Sequence, residues 1–270
     1  MPTLPTLGHT GDMADNDVNN YVKRNPGRSG DWEAAGLRWL GQRAEGTELR
    51  VVEVLSREAD ELHLERVRSA APTEAAAEKF GRGLAQMHAT GADAFGQGPE
   101  GWEGDGFQGP NDDLLTLPLT PTGRWGEFYA SVLEGLVGGF AASNRKDIDT
   151  LLGRLRDGDF DGARPAPLHG DLWSGNVMWS EDGVVLIDPA AHTGHPETDL
   201  AALQIFGTPH VERILAAYAE EAGWETGKNA DWRFREPLHE LQLLFLHVRL
   251  FGGSYEDQAM AAVHASLRLS

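Results

Sequence analysis

Asp171, Asn176 and Asp188 have the side-chain types and the spacing that metal-assisted transfer of a phosphoryl group requires. Asn176 follows Asp171 by five residues, and Asp188 follows twelve residues after that. Apolar runs on either side of the Asp182-Gly183 turn predict an antiparallel hairpin, in which the residue before the first strand lies beside the residue after the second. Asn176 and Asp188 occupy these two positions. Carboxylate and amide oxygens suit Mg²⁺, and phosphoryl transfer also needs a carboxylate to accept the proton of the attacking hydroxyl.

Each of these three residues also has an ordinary structural explanation. An aspartate before a loop commonly forms a turn, an asparagine supports turns, and an aspartate before a proline ends a strand. Only their combination, at this spacing across a hairpin, favours a catalytic loop followed by a metal-binding aspartate.

The residues around this hairpin resemble a known family. The run HGDLWSGN over residues 169–176 and the run IDPA over residues 187–190 are similar to the fructosamine kinase (ketosamine 3-kinase) family. This family is a branch of the kinase-like small-molecule phosphotransferases, which include aminoglycoside and choline kinases. The spacing from HGD to the asparagine occurs throughout that superfamily, whereas DLWSGN and IDPA are typical of the fructosamine branch. The resemblance extends over about residues 21–268 and implies ATP and Mg²⁺ as cofactors.

The resemblance also implies roles for individual residues. Asp171 corresponds to the general base, and Asn176 and Asp188 correspond to the metal ligands. Lys23 resembles the strand lysine that holds the nucleotide phosphates, and Glu33 resembles its partner on the following helix.

Five further residues are expected to support the two substrate sites. The strand ending in LERV resembles the hinge, so the backbone at Glu65 and Val67 is expected to meet the adenine edge. Trp173 is expected to form a wall of the acceptor site, although it would also fit a core position. His169 is expected to orient the loop rather than react, and Asp199, which opens the next helix, is expected to brace that loop.

The first part of the chain reads as strands and one helix. A short strand is predicted at residues 21–23, followed by a helix with Ser29 or Asp31 as its cap. Strands over residues 48–55 and 61–67 are predicted to form an antiparallel hairpin, because polar turn residues separate two runs rich in β-branched residues and leucine.

The pattern becomes mainly helical after residue 67, so we divide the chain into an N-lobe (1–67) and a C-lobe (68–270). A long loop rich in glycine, proline and aspartate is expected over residues 91–123. Apolar residues at spacings of three and four predict the helices. One helix is expected to begin near residue 74, and the further helices are expected over residues 125–140, 145–156, 210–222, 235–250 and 254–268. The order predicts an α+β fold, and with the resemblance it indicates a protein-kinase-like, two-lobed fold with a small, reduced, β-rich N-lobe.

Residues 1–20 contain almost no large apolar side chain, and we expect them to be poorly ordered. Kinase-like folds place a glycine-rich strand-turn-strand before the lysine strand, but the stretch around Gly8 and Gly11 lacks strand character. Either the native start lies upstream or the N-lobe is reduced and binds ATP weakly. The second explanation makes a binding-only pseudokinase an alternative.

The composition excludes several classes of protein. The 42 acidic residues outnumber the 23 basic ones, and the formal net charge is -19, which disfavours binding to nucleic acid and to anionic membranes. Cysteine is absent, so disulfides and thiolate metal sites are excluded and a reducing cytoplasm is expected. Neither a membrane span nor a signal peptide is indicated. The expected partner is a small-molecule or protein-bound ketosamine, and no sequence feature indicates an oligomeric state.

Two other activities remain open from the sequence. One is phosphorylation of an aminoglycoside or choline, since these kinases share the motif spacing. The other is metal-dependent hydrolysis, with His169, Asp171 and Asp188 joined by His192 and His195 as ligands.

Overall fold

A small sheet and one long helix open the computed structural model, which describes residues 19–269. The N-terminal elements are, in chain order, β1 (Asn20–Arg24), α1 (Gly27–Arg43), β2 (Arg50–Val51), β3 (Val54–Arg57) and β4 (Glu61–Glu65). The sheet order is β1-β4-β3, and both pairings are antiparallel. The predicted first strand, first helix and β3–β4 hairpin are confirmed.

Helix α1 begins at Gly27, ahead of both predicted caps. It starts directly after Pro26, and its first turn has no side-chain cap. The Ser29 hydroxyl instead donates a hydrogen bond to the side chain of Asn25. The predicted capping roles of Ser29 and Asp31 are therefore wrong, because the fixed backbone angle of the proline already ends the extended segment at residue 26.

The predicted strand over residues 48–55 is two strands in different sheets. β2 runs parallel to a strand of the C-terminal part, with Arg50 opposite Val185, whereas β3 forms the hairpin with β4. Between them the buried Val52 donates its N–H to Leu186 at 3.0 Å. A continuous run rich in β-branched residues predicts one strand. The break between β2 and β3 follows from the pairing of β2 with β9, which lies far along the chain and leaves no sign in the local pattern.

The C-terminal part is mainly helical, as predicted. Its elements are α2 (Glu74–Ala89), β5 (Gly106–Gln108), β6 (Leu115–Leu117), α3 (Trp125–Leu136), α4 (Arg145–Asp157), β7 (Ala166–Leu168), β8 (Val177–Ser180), β9 (Gly183–Leu186), β10 (His192–Gly194), α5 (Pro196–Ile205), α6 (Val211–Ala222), α7 (Glu236–His239), α8 (Leu241–Phe251) and α9 (Glu256–Ser266). The Thr73 side chain caps α2 by accepting the N–H of Ala76. Helix α2 buries Phe80, Leu84 and Met87 and packs most extensively against α6.

Three predictions for this part need correction. The 91–123 segment is not all loop, because β5 and β6 form a hairpin within it. The helix predicted over 125–140 ends at Leu136 and continues as a short 3₁₀ turn. The helix predicted over 235–250 is two helices, α7 and α8, with Glu240 between them.

Two pairs of strands fix the ends of the segment 169–176. β8 and β9 form the predicted antiparallel hairpin, with Val177 opposite Leu186. β7 pairs antiparallel with β10, with Leu168 opposite His192. The segment runs from β7 to β8, so both of its ends are anchored in buried strands.

The predictions for residues 1–20 lie largely outside the described residues. This applies to the expected poor order and to the missing glycine-rich hairpin, except that Asn20 already belongs to β1. The division at residue 67 stays a prediction. Among the residues that the structure describes, the helices are too short or too polar to span a bilayer.

Candidate active site

Lys23, Glu33 and Asp188 meet between the N-terminal sheet and the β8–β9 hairpin. Lys23 Nζ donates to both carboxylate oxygens of Glu33 at 3.0 Å and to Oδ1 of Asp188 at 2.9 Å. The buried side chain of Asn25 donates to Oε2 of Glu33 at 2.6 Å. Lys23 on β1 therefore bonds both a residue of α1 and the residue that follows β9. The predicted partners Lys23 and Glu33 are in contact. The sequence analysis missed Asn25, whose place before a proline suggested only a turn.

The charges of this cluster shift one another's pKa values. Burial acts to lower the pKa of Lys23, but attraction to Asp188 and Glu33 outweighs it and raises that pKa above its ordinary value. Burial acts to raise the pKa of Asp188, but Lys23 holds it below its usual range. Burial prevails at Glu33 and raises its pKa to about 7. At neutral pH the cluster thus contains a charged lysine facing an ionised aspartate.

Asn176 connects Asp171 with Asp188. Its carboxamide nitrogen donates to the backbone oxygen of Asp171 at 2.8 Å and to Oδ2 of Asp171 at 3.0 Å. The backbone N–H of Ile187 donates to the backbone oxygen of Asn176 at 3.2 Å, which sets Asn176 beside the end of β9. Since the nitrogen is committed to Asp171, the carboxamide oxygen is the atom that could bind a cation.

Asp188 has an unusual backbone conformation. Its φ is 53°, in the left-handed region that residues other than glycine rarely adopt. Among the described residues other than glycine, His210 shares this region, and such conformations tend to cluster at active sites, where the surrounding structure holds them.

The carboxyl group of Asp171 has the properties of a general base. Burial raises its pKa to about 7, and the neighbouring charge of Asp188 acts in the same direction, while the hydrogen bond from Asn176 opposes them. A pKa near neutrality allows the group to accept a proton and to release it again.

Asp199 holds the beginning of the 169–176 segment through its backbone. Its Oδ2 accepts the N–H of His169 at 2.7 Å, and its Oδ1 accepts the N–H of Gly170 at 3.0 Å. His88 lies 3.3 Å from Oδ2, and its other ring nitrogen is 2.9 Å from the Tyr218 hydroxyl. Burial acts to raise the pKa of Asp199, but the contacts with His88 and His169 lower it. The carboxylate therefore stays ionised. His88 and Tyr218 were missed, because each lies more than a hundred residues from its partner in this network.

His169 is held away from the reacting groups. Its Nε2 is 2.8 Å from the backbone oxygen of Ile187, and burial lowers its pKa. The backbone N–H of Asp171 lies 3.3 Å from its other ring nitrogen. A neutral histidine with both nitrogens engaged can orient the loop, but it is not placed to exchange a proton with a substrate.

Gly170 is required by the close approach of the backbone just before β10. Its φ is 79°, and a Cβ at this position would lie 2.2 Å from the backbone oxygen of Ala190. Only glycine fits this conformation and this space.

β4 ends at Glu65, and Val67 lies two residues beyond it in the segment that resembles a hinge. The N–H of Glu65 donates to Glu53 at 2.9 Å, and its carboxylate pairs with Arg50 at 2.9 Å. Among the described residues, Val67 takes part in none of the loop and turn backbone hydrogen bonds. The contact of their backbone with an adenine edge stays a prediction.

Trp173 lies on the same segment as Asp171 and is half-buried. Its ring meets Phe206 edge to face at 5.8 Å between ring centroids. Its face also lies so close to Gly175 that a Cβ there would be 2.3 Å from the ring. The indole is thus firmly placed, partly against the core and partly open.

The geometry does not assemble the ligand set of a hydrolase. His192 Nδ1 bonds the backbone oxygen of Ala190, and His195 Nδ1 accepts the N–H of Glu197. Among the described residues, His195 lies in a buried cluster with Glu197 and His239, and neither Asp171 nor Asp188 belongs to that cluster. The Glu197 carboxylate already forms an ion pair with Arg235.

Comparison with known proteins is consistent with this geometry. The fructosamine kinase family model matches residues 31–269. A solved structure of a protein from Thermobifida fusca YX-ER1, assigned as a fructosamine-3-kinase, is 38% identical, with a TM-score of 0.79; the match covers 93% of this chain and 86% of that one. This match confirms the predicted kinase-like fold.

Curated relatives carry related names. A Synechocystis protein named probable ketoamine kinase slr1563 is 29% identical over 71% of this chain and 62% of its own length. A chloroplastic protein-ribulosamine 3-kinase of Oryza sativa subsp. indica is 30% identical over 70% of this chain and 54% of its own length. The matched regions thus span less than two thirds of either relative. Because the family model covers almost all of the described residues, this chain belongs to the fructosamine kinase family.

Proposed function

We propose that this protein is an ATP-dependent kinase that phosphorylates a sugar-derived hydroxyl of a ketosamine. The observation that carries the proposal is the convergence of Lys23, Asp171, Asn176 and Asp188 from β1, the 169–176 segment and the end of β9. A lysine, two metal-binding side chains and a base are the parts that phosphoryl transfer needs.

The nucleotide would be held by both lobes. Lys23, kept charged and oriented by Glu33, is placed to bind phosphate oxygens, which neutralises them locally in an acidic protein. The backbone of Glu65 and Val67, in the segment that resembles a hinge, would meet the adenine edge. Family membership supports ATP as the phosphoryl donor.

The donor atoms beside Lys23 fit Mg²⁺. An ionised Asp188 carboxylate and the carboxamide oxygen of Asn176 are hard oxygen ligands, and such a site commonly leaves further positions to water and phosphate. Bound there, Mg²⁺ would neutralise charge on the phosphates. Lys23 now pairs with Asp188, and it would shift this contact toward the phosphates when nucleotide binds.

Asp171 would act as the base of the reaction. Its carboxylate accepts the proton of the acceptor hydroxyl as that oxygen forms a bond to the terminal phosphorus of ATP, and the bond to ADP breaks. Asn176 orients the carboxylate, and Asp199 orients the backbone that carries it. Trp173 would form one wall of the acceptor site.

The acceptor is proposed to be a fructosamine or ribulosamine, free or on a protein lysine, phosphorylated at its C3 hydroxyl. The support is the DLWSGN sequence over 171–176, together with family membership. Such a reaction would contribute to deglycation of metabolites or proteins, and the lack of cysteine supports a reducing cytoplasm as its setting.

The test is incubation of the protein with Mg-ATP and, separately, fructosyl-lysine, ribosyl-lysine, an aminoglycoside and choline, with ADP release as the readout. We expect ADP release with the ketosamines. Release with the aminoglycoside or choline and none with the ketosamines would move the protein to a sister branch. A failure to release ADP with any acceptor would support the pseudokinase alternative.

A further inference from the structure

Helix α1 carries Glu33 and takes part in two apolar cores. Ala34 and Leu37 lie in the smaller core, which also contains the buried side chains of β4. Trp32 lies in the larger core, which is formed mainly by the C-terminal part. Trp32 directly precedes Glu33, and neighbouring residues of a helix have a fixed relation to one another. Whatever holds the indole of Trp32 therefore also sets the position of Glu33.

Residues 102–107 of the C-terminal part hold this indole. The indole N–H of Trp32 donates to the backbone oxygen of Phe107 at 2.9 Å. The ring of Trp102 meets it edge to face, at 5.1 Å between ring centroids. A Cβ on Gly106 would lie 2.6 Å from the ring of Trp32. Because Trp32 is only 3% exposed, its single donor group needs the partner that Phe107 provides.

Trp102 contacts α1 at a second point. The guanidinium of Arg28 lies over the Trp102 ring, 5.0 Å from its centroid. Arg28 also donates to the backbone oxygen of Glu103 at 2.9 Å. Arg28 and Trp32 are four residues apart on α1 and so lie on the same face of the helix. Trp102 thus holds two successive turns of α1 against the C-terminal part.

Helix α1 also packs against the residue that follows Asp188. A Cβ on Gly36 would lie 3.4 Å from the Cγ of Pro189. Lys23 donates to Glu33 at 3.0 Å and to Asp188 at 2.9 Å. Lys23 can bond both carboxylates at once only while α1 keeps this distance from the end of β9.

We propose that Trp102 is a positioning residue for nucleotide binding: it holds α1 through Trp32 and Arg28 and thereby fixes Glu33, which orients Lys23. This inference rests on the proposed function, in which Lys23 binds the phosphates of ATP. A ring that served only the stability of the fold would affect the binding of both substrates alike. A ring that acts through Glu33 affects ATP selectively.

Trp102→Ala should raise KM for ATP and the calorimetric Kd for Mg-ATP about 3- to 10-fold, the effect of losing one aromatic pair. KM for the ketosamine should not change. Trp102→Phe keeps a ring against Trp32 and should restore most of the affinity for Mg-ATP. In a Glu33→Gln background, Trp102→Ala should cause no further loss, because both changes act through the same contact.

The matched control is Phe160→Ala. Phe160 is also a half-buried ring beneath an arginine, with the guanidinium of Arg154 4.8 Å from its centroid. This variant should match wild type in its Kd for Mg-ATP. An unchanged Kd in Trp102→Ala, or a loss that adds fully to that of Glu33→Gln, would overturn the proposal.

Calorimetry separates this inference from the proposed function. If Mg-ATP binds but ketosamines are not phosphorylated, the proposed function fails while the Kd values still decide on Trp102. If ketosamines are phosphorylated and Trp102→Ala binds Mg-ATP as wild type does, only the role of Trp102 fails. A wild-type protein that does not bind Mg-ATP would contradict both.

Discussion

The carboxamide nitrogen of Asn176 donates to both the backbone oxygen and Oδ2 of Asp171, at 2.8 and 3.0 Å. One side chain thus contacts the proposed base with its nitrogen, while its oxygen belongs to the proposed metal site. The proposed base and the proposed metal site are therefore built as one unit, and a change in either is expected to affect turnover.

Asp171→Asn should lower kcat by about 10²–10⁴-fold, because the variant cannot accept the proton of the acceptor hydroxyl. The fold and the affinity for nucleotide should remain close to wild type, since among the described residues the hydrogen bonds of Lys23 go to Glu33 and Asp188 and not to Asp171. Steady-state kinetics and a nucleotide titration measure both quantities. A variant that keeps more than about a tenth of wild-type kcat would show that Asp171 is not the base.

Asp188→Ala should weaken Mg²⁺-dependent binding of nucleotide more than Asn176→Ala does, because it removes a full charge facing the metal and the phosphates. Thermal-shift titrations with ATP, with and without Mg²⁺, provide the measurement. The control is Asp182→Ala in the turn of the same hairpin, whose side chain is 86% exposed. Equal stabilisation of Asp188→Ala and wild type by Mg-ATP would contradict the metal assignment.

Asp199→Asn should cost about 1–3 kcal/mol of the free energy of unfolding and should also lower kcat. The amide can accept at only one of its two positions, so one of the backbone N–H groups of His169 and Gly170 loses its acceptor. Denaturant unfolding and steady-state kinetics test this expectation. The exposed Asp149→Asn in α4 is the control and should match wild type in both, whereas an unaffected Asp199→Asn would remove the bracing role.

Glu240, between α7 and α8, should make stability depend on pH. Burial, and then the charge of Glu236, raise its pKa to about 7 from an ordinary value of 4.5. Its contribution to stability is therefore fully present below pH 4.5 and is lost as the pH rises through about 7. Glu240→Gln should unfold at a higher temperature than wild type at pH 8 and show no such gain near pH 4.

The exposed turn residue Glu181 supplies the control for this comparison. Glu181→Gln should leave the midpoint of thermal unfolding unchanged at both pH values. If Glu240→Gln behaved in the same way, the carboxyl group of Glu240 would not be destabilised by burial.

The parts of the site that lie close in sequence could be predicted. A turn between two apolar runs is enough to set Asn176 near Asp188, because antiparallel pairing of a short hairpin has one evident register. Lys23 and Glu33 are ten residues apart on consecutive elements, so a strand followed by a helix brings them together.

The parts that depend on distant pairing could not be predicted. β2 has two residues, too few to carry a pattern, and its partner β9 lies far along the chain. The contact of His88 with Asp199 arises only when α2 and α5 lie side by side in the folded chain. A lone buried histidine in a helical pattern offers no sign of such a partner.

The position of the transferred phosphate on the product is a direct test of the proposed ketosamine kinase activity. The measurement is phosphorus NMR of the product formed from Mg-ATP and fructosyl-lysine, with Asp171→Asn as the parallel sample. We expect a phosphomonoester coupled to the proton on C3 of the sugar, formed by wild type and reduced by about 10²-fold or more in the variant. A product phosphorylated elsewhere would contradict the C3 assignment, and an unmodified ketosamine in the wild-type sample would contradict the proposed function.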